Sequence, residues 1–343
     1  MKEKYLISAI VSTYKSERFI RHKIENLLKQ TIADLLEIVI VNSGSPQNED
    51  AIIKEYLPVY PNIKYIHTEE RETIYKAWNR GIRVTTGKYI TNSNTDDRLK
   101  NDALEKMTTY LENNLDIALV YANQIISKKE NEEYEKIKKK EIILFPEYNK
   151  MRLLNRCIIG SQPVWRASLH YEDGLWFDEG FEVCGDHDFE LAVSHKYEIK
   201  HLNEPLGTFY KSPLRTNKEY ENIHRNILEL NRLREKHVQY YIKNVAPEIL
   251  KVNINEIKKY LFIPFPFYAF MAKALDVFYR KRFYRPMLVY SVEFIVCLYR
   301  EVAQEWGQTM EVYKINKRYN RYLKYKNVIV KVRDVLRKHY AKG

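Results

Sequence analysis

Short apolar runs alternate with helix-spaced stretches over the first hundred residues. Residues 6–11 form one run, broken only by Ser8, and residues 35–41 form a second, Leu-Leu-Glu-Ile-Val-Ile-Val. Both are short and β-branched, the pattern of strands buried on both faces. Residues 63–67 and 87–93 predict a third and a fourth strand. Amphipathic spacing predicts helices between them. One opens at Ser16-Glu17-Arg18 with Phe19, Ile20, Ile24, Leu27 and Leu28 on one side; one runs through Ile52, Ile53 and Tyr56; one covers 73–82. A further helix to about Leu111 and a strand over 117–121 continue the series. Strands alternating with helices at this pace imply a parallel sheet with helices on both faces.

In such a sheet, ligands bind outside the carboxyl ends of the strands. Three predicted strands run out into loops of small polar residues, 12–17, 42–48 and 94–97, which would gather on one edge as a nucleotide-sized cleft. No GxGxxG or GxxxxGK[ST] occurs there, so neither a dinucleotide fold of the usual kind nor a P-loop is supported. The third loop, Asn94-Thr95-Asp96-Asp97, ends on adjacent carboxylates. These suit a hard divalent cation, which takes one or two carboxylates plus substrate phosphates; a turn capping the next helix is the structural alternative. Farther on, Asp186 and Asp188 fall at the start of an apolar-patterned helix, where N-capping and catalysis are both open. Trp165 follows a Gly-Ser-Gln-Pro loop; stacking on an acceptor sugar competes with the core, the commoner place for a large aromatic. The charge run 128–140 reads as a solvated insertion.

Charge changes this picture only at the C-terminal end. Residues 216–343 hold 26 Lys and Arg against 12 Asp and Glu, whereas the whole chain holds 57 against 45, so residues 1–215 are close to neutral. Such asymmetry points to a region with an anionic partner. The stretch 261–271 is very apolar but broken by prolines, and 286–299 is short of the ~20 residues a membrane span needs. A basic cluster at 280–285 beside these segments resembles an interfacial anchor. A helical subdomain packing on the first domain or on a second copy is the competing reading; a specific nucleic-acid partner lacks any motif to support it. Cys157, Cys184 and Cys297 form no CxxC pair, which fits a reducing compartment. The start of the chain has no signal-peptide apolar region, so a cytoplasmic location is expected, with peripheral attachment at the inner membrane face open.

Five motifs in order resemble the family 2 glycosyltransferases over about residues 5–215: 11–17 (Val-Ser-Thr-Tyr-Lys-Ser-Glu), 42–45 (Asn-Ser-Gly-Ser), 77–82 (Ala-Trp-Asn-Arg-Gly-Ile), 87–97 and 185–188 (Gly-Asp-His-Asp). The resemblance implies an α/β fold, a GT-A Rossmann-like and mostly parallel sheet flanked by helices over 1–215, followed by a basic, mainly α-helical region over 216–343. It implies an inverting, metal-dependent transfer of a sugar from a nucleotide donor, a UDP-sugar above all, to a glycan or glycolipid acceptor in surface glycan synthesis. Ser12, Thr13, Tyr14 and Glu17 would line the base and ribose, with Asn42 or Ser43 where the family usually has an acidic residue. Asn79 lies in the donor-side helix motif. The family's DxD appears as Asn94-Thr95-Asp96, so Asp96 would be the main ligand to Mn²⁺ or Mg²⁺, with Asn94 and Asp97 beside it. Arg71 would face the diphosphate, unless it pairs within Glu69-Glu70-Arg71-Glu72. Lys211 stands where many members have a metal-site histidine. Asp186 matches the catalytic base, with Asp188 second choice on the acceptor side with Trp165. The lost acidic residues at 42 and 94 also motivate a sugar-nucleotide-binding protein without transfer activity.

Overall fold

The computed structural model describes residues 4–138, 141–155, 157–212 and 223–240. Two compact units divide the chain: one of residues 1–149 and 156–233, the other of 150–155 and 234–343. The expected domain boundary at 215 and the apolar and basic segments from 261 onward lie outside the described residues.

The first unit is built on an eight-stranded sheet. Its amino-terminal half follows the expected alternation: β1 (Tyr5–Thr13), α1 (Glu17–Leu28), β2 (Leu36–Ser43), α2 (Glu49–Tyr56), β3 (Ile63–Thr68), α3 (Ile74–Ile82), β4 (Gly87–Asn92) and α4 (Ala103–Asn113). These four strands pair in parallel in the order β3-β2-β1-β4. All eight residues of β2 are buried, which is why its sequence reads as one apolar run. Ile7, Ala9 and Val11 of β1 join Ile38 and Ile40 of β2 in a core with Ile20, Ile24 and Leu27 of α1 and Leu104, Met107 and Leu111 of α4. Ile10 and Val41 point to the other face, against α3. The register sets Thr13 beside Asn42 and Ser43 beside Thr68, so the loops after β1, β2 and β3 leave from one edge.

The other half departs from expectation. β5 (Ile117–Ser127) is longer than the predicted strand, and β7 (Val164–Arg166) runs antiparallel between β4 and β5. β6 (Ile142–Ile143) and β8 (Glu198–Tyr210) pair with β5, the latter in parallel with bulges near Ala122–Gln124. The sheet is therefore mixed. Among the described residues the remaining α-helices are α6 (Ser168–Tyr171), α7 (Gly185–Lys196) and α8 (Ile223–Tyr240), with α5 (Lys150–Asn155) and the part of α8 from residue 234 assigned to the second unit. The charge run 128–140 is not wholly solvated: Tyr134 and Ile137 pack on Ile125, and the Tyr134 hydroxyl donates to the Pro205 carbonyl at 2.7 Å. No helix among the described residues is long and apolar enough to cross a membrane.

Candidate functional site

Three loops at the carboxyl edge of the parallel strands interlock. Gly44 has φ +58°, and a Cβ there would fall 2.8 Å from the Glu70 carbonyl carbon, so the β2 and β3 loops touch through bare backbone. Ser43 Oγ binds the backbone N–H of Glu72 at 2.5 Å, closing the same contact. Buried Glu49 accepts from the Ser16 N–H at 2.7 Å and from Ser45 Oγ at 2.8 Å, tying the β1 loop to the β2 loop. Glu17 accepts from the Asn48 N–H at 3.3 Å. Arg71 projects from this frame with its guanidinium 4.6 Å from the centre of the Tyr14 ring. Glu72 pairs with Arg80 and Lys76 rather than with Arg71. Tyr14 and Arg71, expected at the donor, are thus brought together, with half-buried Ser12 at the end of β1.

Asn42 has another task than the expected one. It is fully buried, its Nδ2 donates to the Tyr65 hydroxyl at 3.1 Å, and its Oδ1 accepts from the Ser45 N–H at 3.0 Å. Both ends of the amide are spent on the loop. The same holds for Asn79, whose Nδ2 donates to the Phe177 carbonyl at 2.9 Å and Glu179 at 3.0 Å while its Oδ1 accepts from the Phe177 N–H. Thr13 is buried as well.

The loop 94–97 stands over buried charge that sequence reasoning missed. Lys23 of α1 is 0% exposed and donates to Ser93 Oγ at 3.0 Å and Gln162 Oε1 at 3.2 Å. Buried Arg98 donates to the Thr95 and Asp97 carbonyls, each at 2.8 Å. Burial pulls the Lys23 amine well below its usual value, and Arg98 pulls in the same direction; Asp97 and Asp96 oppose it. Burial pushes both aspartates up. The two carboxylates differ in their duties. Asp97 is buried, with Oδ1 accepting from the Tyr210 N–H and Oδ2 from Ser161 Oγ, both at 2.8 Å, so it holds the loop to β8 and to the segment before β7. Asp96 is half-buried, as is Asn94. Exposed Lys211 follows Tyr210 directly. Among the described residues no three His, Cys, Asp or Glu side chains form a closed metal cage. One carboxylate beside a diphosphate is a donor set that fits Mg²⁺ or Mn²⁺, which keep water and substrate oxygens as their other ligands.

Asp186 is the second residue of α7 and half-buried. Its Oδ1 accepts from the Tyr75 hydroxyl at 3.3 Å and the His187 N–H at 2.8 Å. Tyr75 lies in the first turn of α3, just past the β3 loop, so Asp186 belongs to the same sheet edge as Arg71. The chain leading into α7 is held from α8: Glu229 accepts from the N–H groups of Glu182, Val183 and Cys184 at 2.8–3.0 Å. Arg232 donates to the Gly180 carbonyl at 3.0 Å. One turn beyond Asp186, Glu190 is 4% exposed and accepts from the Cys157 thiol at 3.7 Å. Burial, then the Asp186 charge, push the Glu190 carboxyl well above the usual range.

Trp165 is core, not an exposed platform. It is 1% exposed, its indole N–H donates to His170 Nε2 at 2.8 Å, and Phe189 and Phe177 pack on it with ring centres 5.6 and 6.0 Å away. Asp188 is buried too.

Residues 8–167 match the model of the Glycosyl transferase family 2. An uncharacterized glycosyltransferase of Haemophilus influenzae is 24% identical over 254 residues, covering 72% of this chain and 78% of its own. One of Methanocaldococcus jannaschii is 27% identical over 217 residues, covering 63% and 73%. Among solved structures, S. aureus TarS 1-349 in complex with UDP-GlcNAc aligns with a TM-score of 0.53 at 16% identity, over 91% of this chain and 93% of that one. That last likeness is one of fold, and the fold is of the GT-A type. The matched family, its glycosyltransferase relatives and the strand-edge loops agree: residues 8–167 carry a family 2 glycosyltransferase domain, and the chain is an enzyme of sugar transfer.

Proposed function

We propose that the enzyme moves a sugar, with inversion, from a nucleoside-diphosphate sugar to an acceptor hydroxyl. The observation that carries this reading is the tie between Asp186 and Tyr75 of α3, which fixes a half-buried carboxylate at the edge where the β1, β2 and β3 loops interlock. Tyr14 and Arg71 supply a flat face and a positive charge beside them. A guanidinium suits a diphosphate, and an aromatic ring suits a base. The UDP-GlcNAc bound by the TarS structure favours a UDP-sugar as the donor.

Asp186 takes the proton of the acceptor hydroxyl. The oxygen of that hydroxyl then bonds to the anomeric carbon from the face opposite the diphosphate. The bond from that carbon to the diphosphate breaks, and its electron pair leaves with the nucleotide. Arg71 and Lys211 offset the charge that grows on the leaving diphosphate. Asp96, with Asn94 beside it, would hold Mn²⁺ or Mg²⁺, which neutralises diphosphate charge when bound. Asp97 contributes by keeping that loop in place. The positive charge of residues 216–343 supports placing the enzyme on an anionic membrane surface, where a glycan or glycolipid acceptor for surface glycan synthesis would be met.

The test is turnover in a screen of nucleotide sugars with Mn²⁺, repeated with Asp186→Asn. Loss of transfer by at least a hundredfold with donor binding kept is the expected result. Unchanged transfer would reject Asp186 as the base. Donor binding without turnover in the parent protein would leave a sugar-nucleotide-binding protein instead.

A further inference from the structure

Gly185 opens α7, and a Cβ on it would fall 2.7 Å from Cδ2 and Cε2 of Tyr75. Ring and helix backbone are in direct contact there. The ring itself is buried and confined: Trp78 meets it edge-on at 5.4 Å and Phe177 stacks on it at 6.0 Å. Phe177 is in turn fastened to α3 through both amide atoms of Asn79. The Tyr75 hydroxyl therefore has little freedom in where it points. It donates to Oδ1 of Asp186 at 3.3 Å, and its oxygen is within reach of the backbone N–H groups of Gly185 and Asp186.

We propose that Tyr75 is a positioning residue for Asp186, holding the carboxylate in one orientation from the first turn of α3. The reading rests on Asp186 being the base. A donor on Oδ1 also favours the ionised carboxylate, the form a base needs. Burial, then the Asp186 charge, keep the Tyr75 phenol well above its usual value, so it stays protonated and remains a donor. Titratable groups around the pair among the described residues include Cys184 at the helix start, His187, Glu190 on the next turn and Cys157 donating to Glu190. All of these are present in both proteins compared below.

A readout that needs no substrate is the titration of the Asp186 carboxyl carbon by ¹³C NMR in the full chain. The Asp186→Asn variant identifies the signal. In Tyr75→Phe, which keeps the ring and removes the hydroxyl, the midpoint should rise by about one unit, because the ionised form has lost a donor. Gly185→Ala, which pushes the ring off the helix, should move it the same way. A midpoint unchanged in both folded variants overturns the proposal. With a donor that the protein turns over, Tyr75→Phe should lower kcat roughly tenfold at constant donor KM. A loss confined to KM also overturns it. Failure of the underlying reading shows separately, as full transfer by Asp186→Asn.

Discussion

His170 offers a stability test with a sign fixed by geometry. Its Nδ1 lies 2.5 Å from the Leu175 carbonyl, and its Nε2 accepts from the Trp165 indole N–H. A carbonyl only accepts and an indole only donates, so the ring is neutral with its proton on Nδ1. Protonating Nε2 would set N–H against N–H and bury a charge in a residue 1% exposed. Burial pulls its pKa down to about 4, the Leu175 carbonyl opposing. In the unfolded chain the ring titrates near ~6.5. The unfolded chain therefore takes up this proton first on acidification. Stability from this group is whole above the unfolded value and is lost as pH falls toward the folded one. At ~1.36 kcal/mol per pH unit, the loss between about pH 7.5 and about pH 5 is about 2 kcal/mol. His170→Leu should lower stability at neutral pH, since the Trp165 N–H loses its acceptor, but should lack this acid slope. Urea unfolding followed by tryptophan fluorescence at the two pH values measures the difference between parent and variant. A His170 imidazole titrating near ~6.5 by ¹⁵N NMR, or a variant with the full acid loss, would refute the reasoning. The consequence reaches the site, because His170 stacks on Phe189 of α7 at 5.2 Å and 9°.

The paired aspartates should separate cleanly. Asp97→Ala orphans the Tyr210 N–H and Ser161 hydroxyl and leaves Lys23 and Arg98 less compensated, costing roughly 3–5 kcal/mol in urea unfolding; Asp97→Asn keeps the shape and should cost about 1–2 kcal/mol. Equal losses would contradict the structural role given to Asp97. Asp96→Ala should abolish the Mn²⁺ dependence of UDP-sugar binding with little change in melting, whereas Asn94→Asp should keep or tighten it, as calorimetry would show. Arg71→Ala should weaken UDP binding about fivefold while the protein melts as before, since the exposed guanidinium packs on the Tyr14 ring and makes no ion pair among the described residues; unaltered affinity would remove it from the site.

The amino-terminal half was legible because parallel strands buried on both faces leave long apolar runs, as in β2. β7 was not, since three residues carry no period and become a strand only through partners at 89–91 and 119–120. β8 was hidden by Asn203, Pro205 and Gly207 and by its bulged register. At the site, the motifs fall on loops that the fold brings to one sheet edge, but residue type misled over burial. Lys23 looks like a surface charge and lies inside, because what admits it is Asp96 and Asp97 far along the chain, and Arg98, beside those aspartates in sequence, is drawn in with them. Asn42 and Asn79 have the chemistry of ligand contacts, yet their donors and acceptors are consumed within the protein. Glu229 and Arg232 carried no signal, since a carboxylate that gathers three backbone N–H groups across the fold resembles any other helix-surface glutamate in sequence.

The short antiparallel strand has a consequence for synthesis of the chain. β4 is complete at Asn92, but its outer edge pairs with Val164–Arg166, with the Ala167 N–H adding a bond to the Lys88 carbonyl. A sheet assembled from β1 through β4 alone would present a bare edge of Tyr89, Ile90 and Thr91. An unpaired, apolar edge is a template for pairing with another chain. If the four strands assemble before residue 166 is made, that edge waits for its partner over more than seventy residues of synthesis, so expression at slowed translation should raise aggregation of the chain.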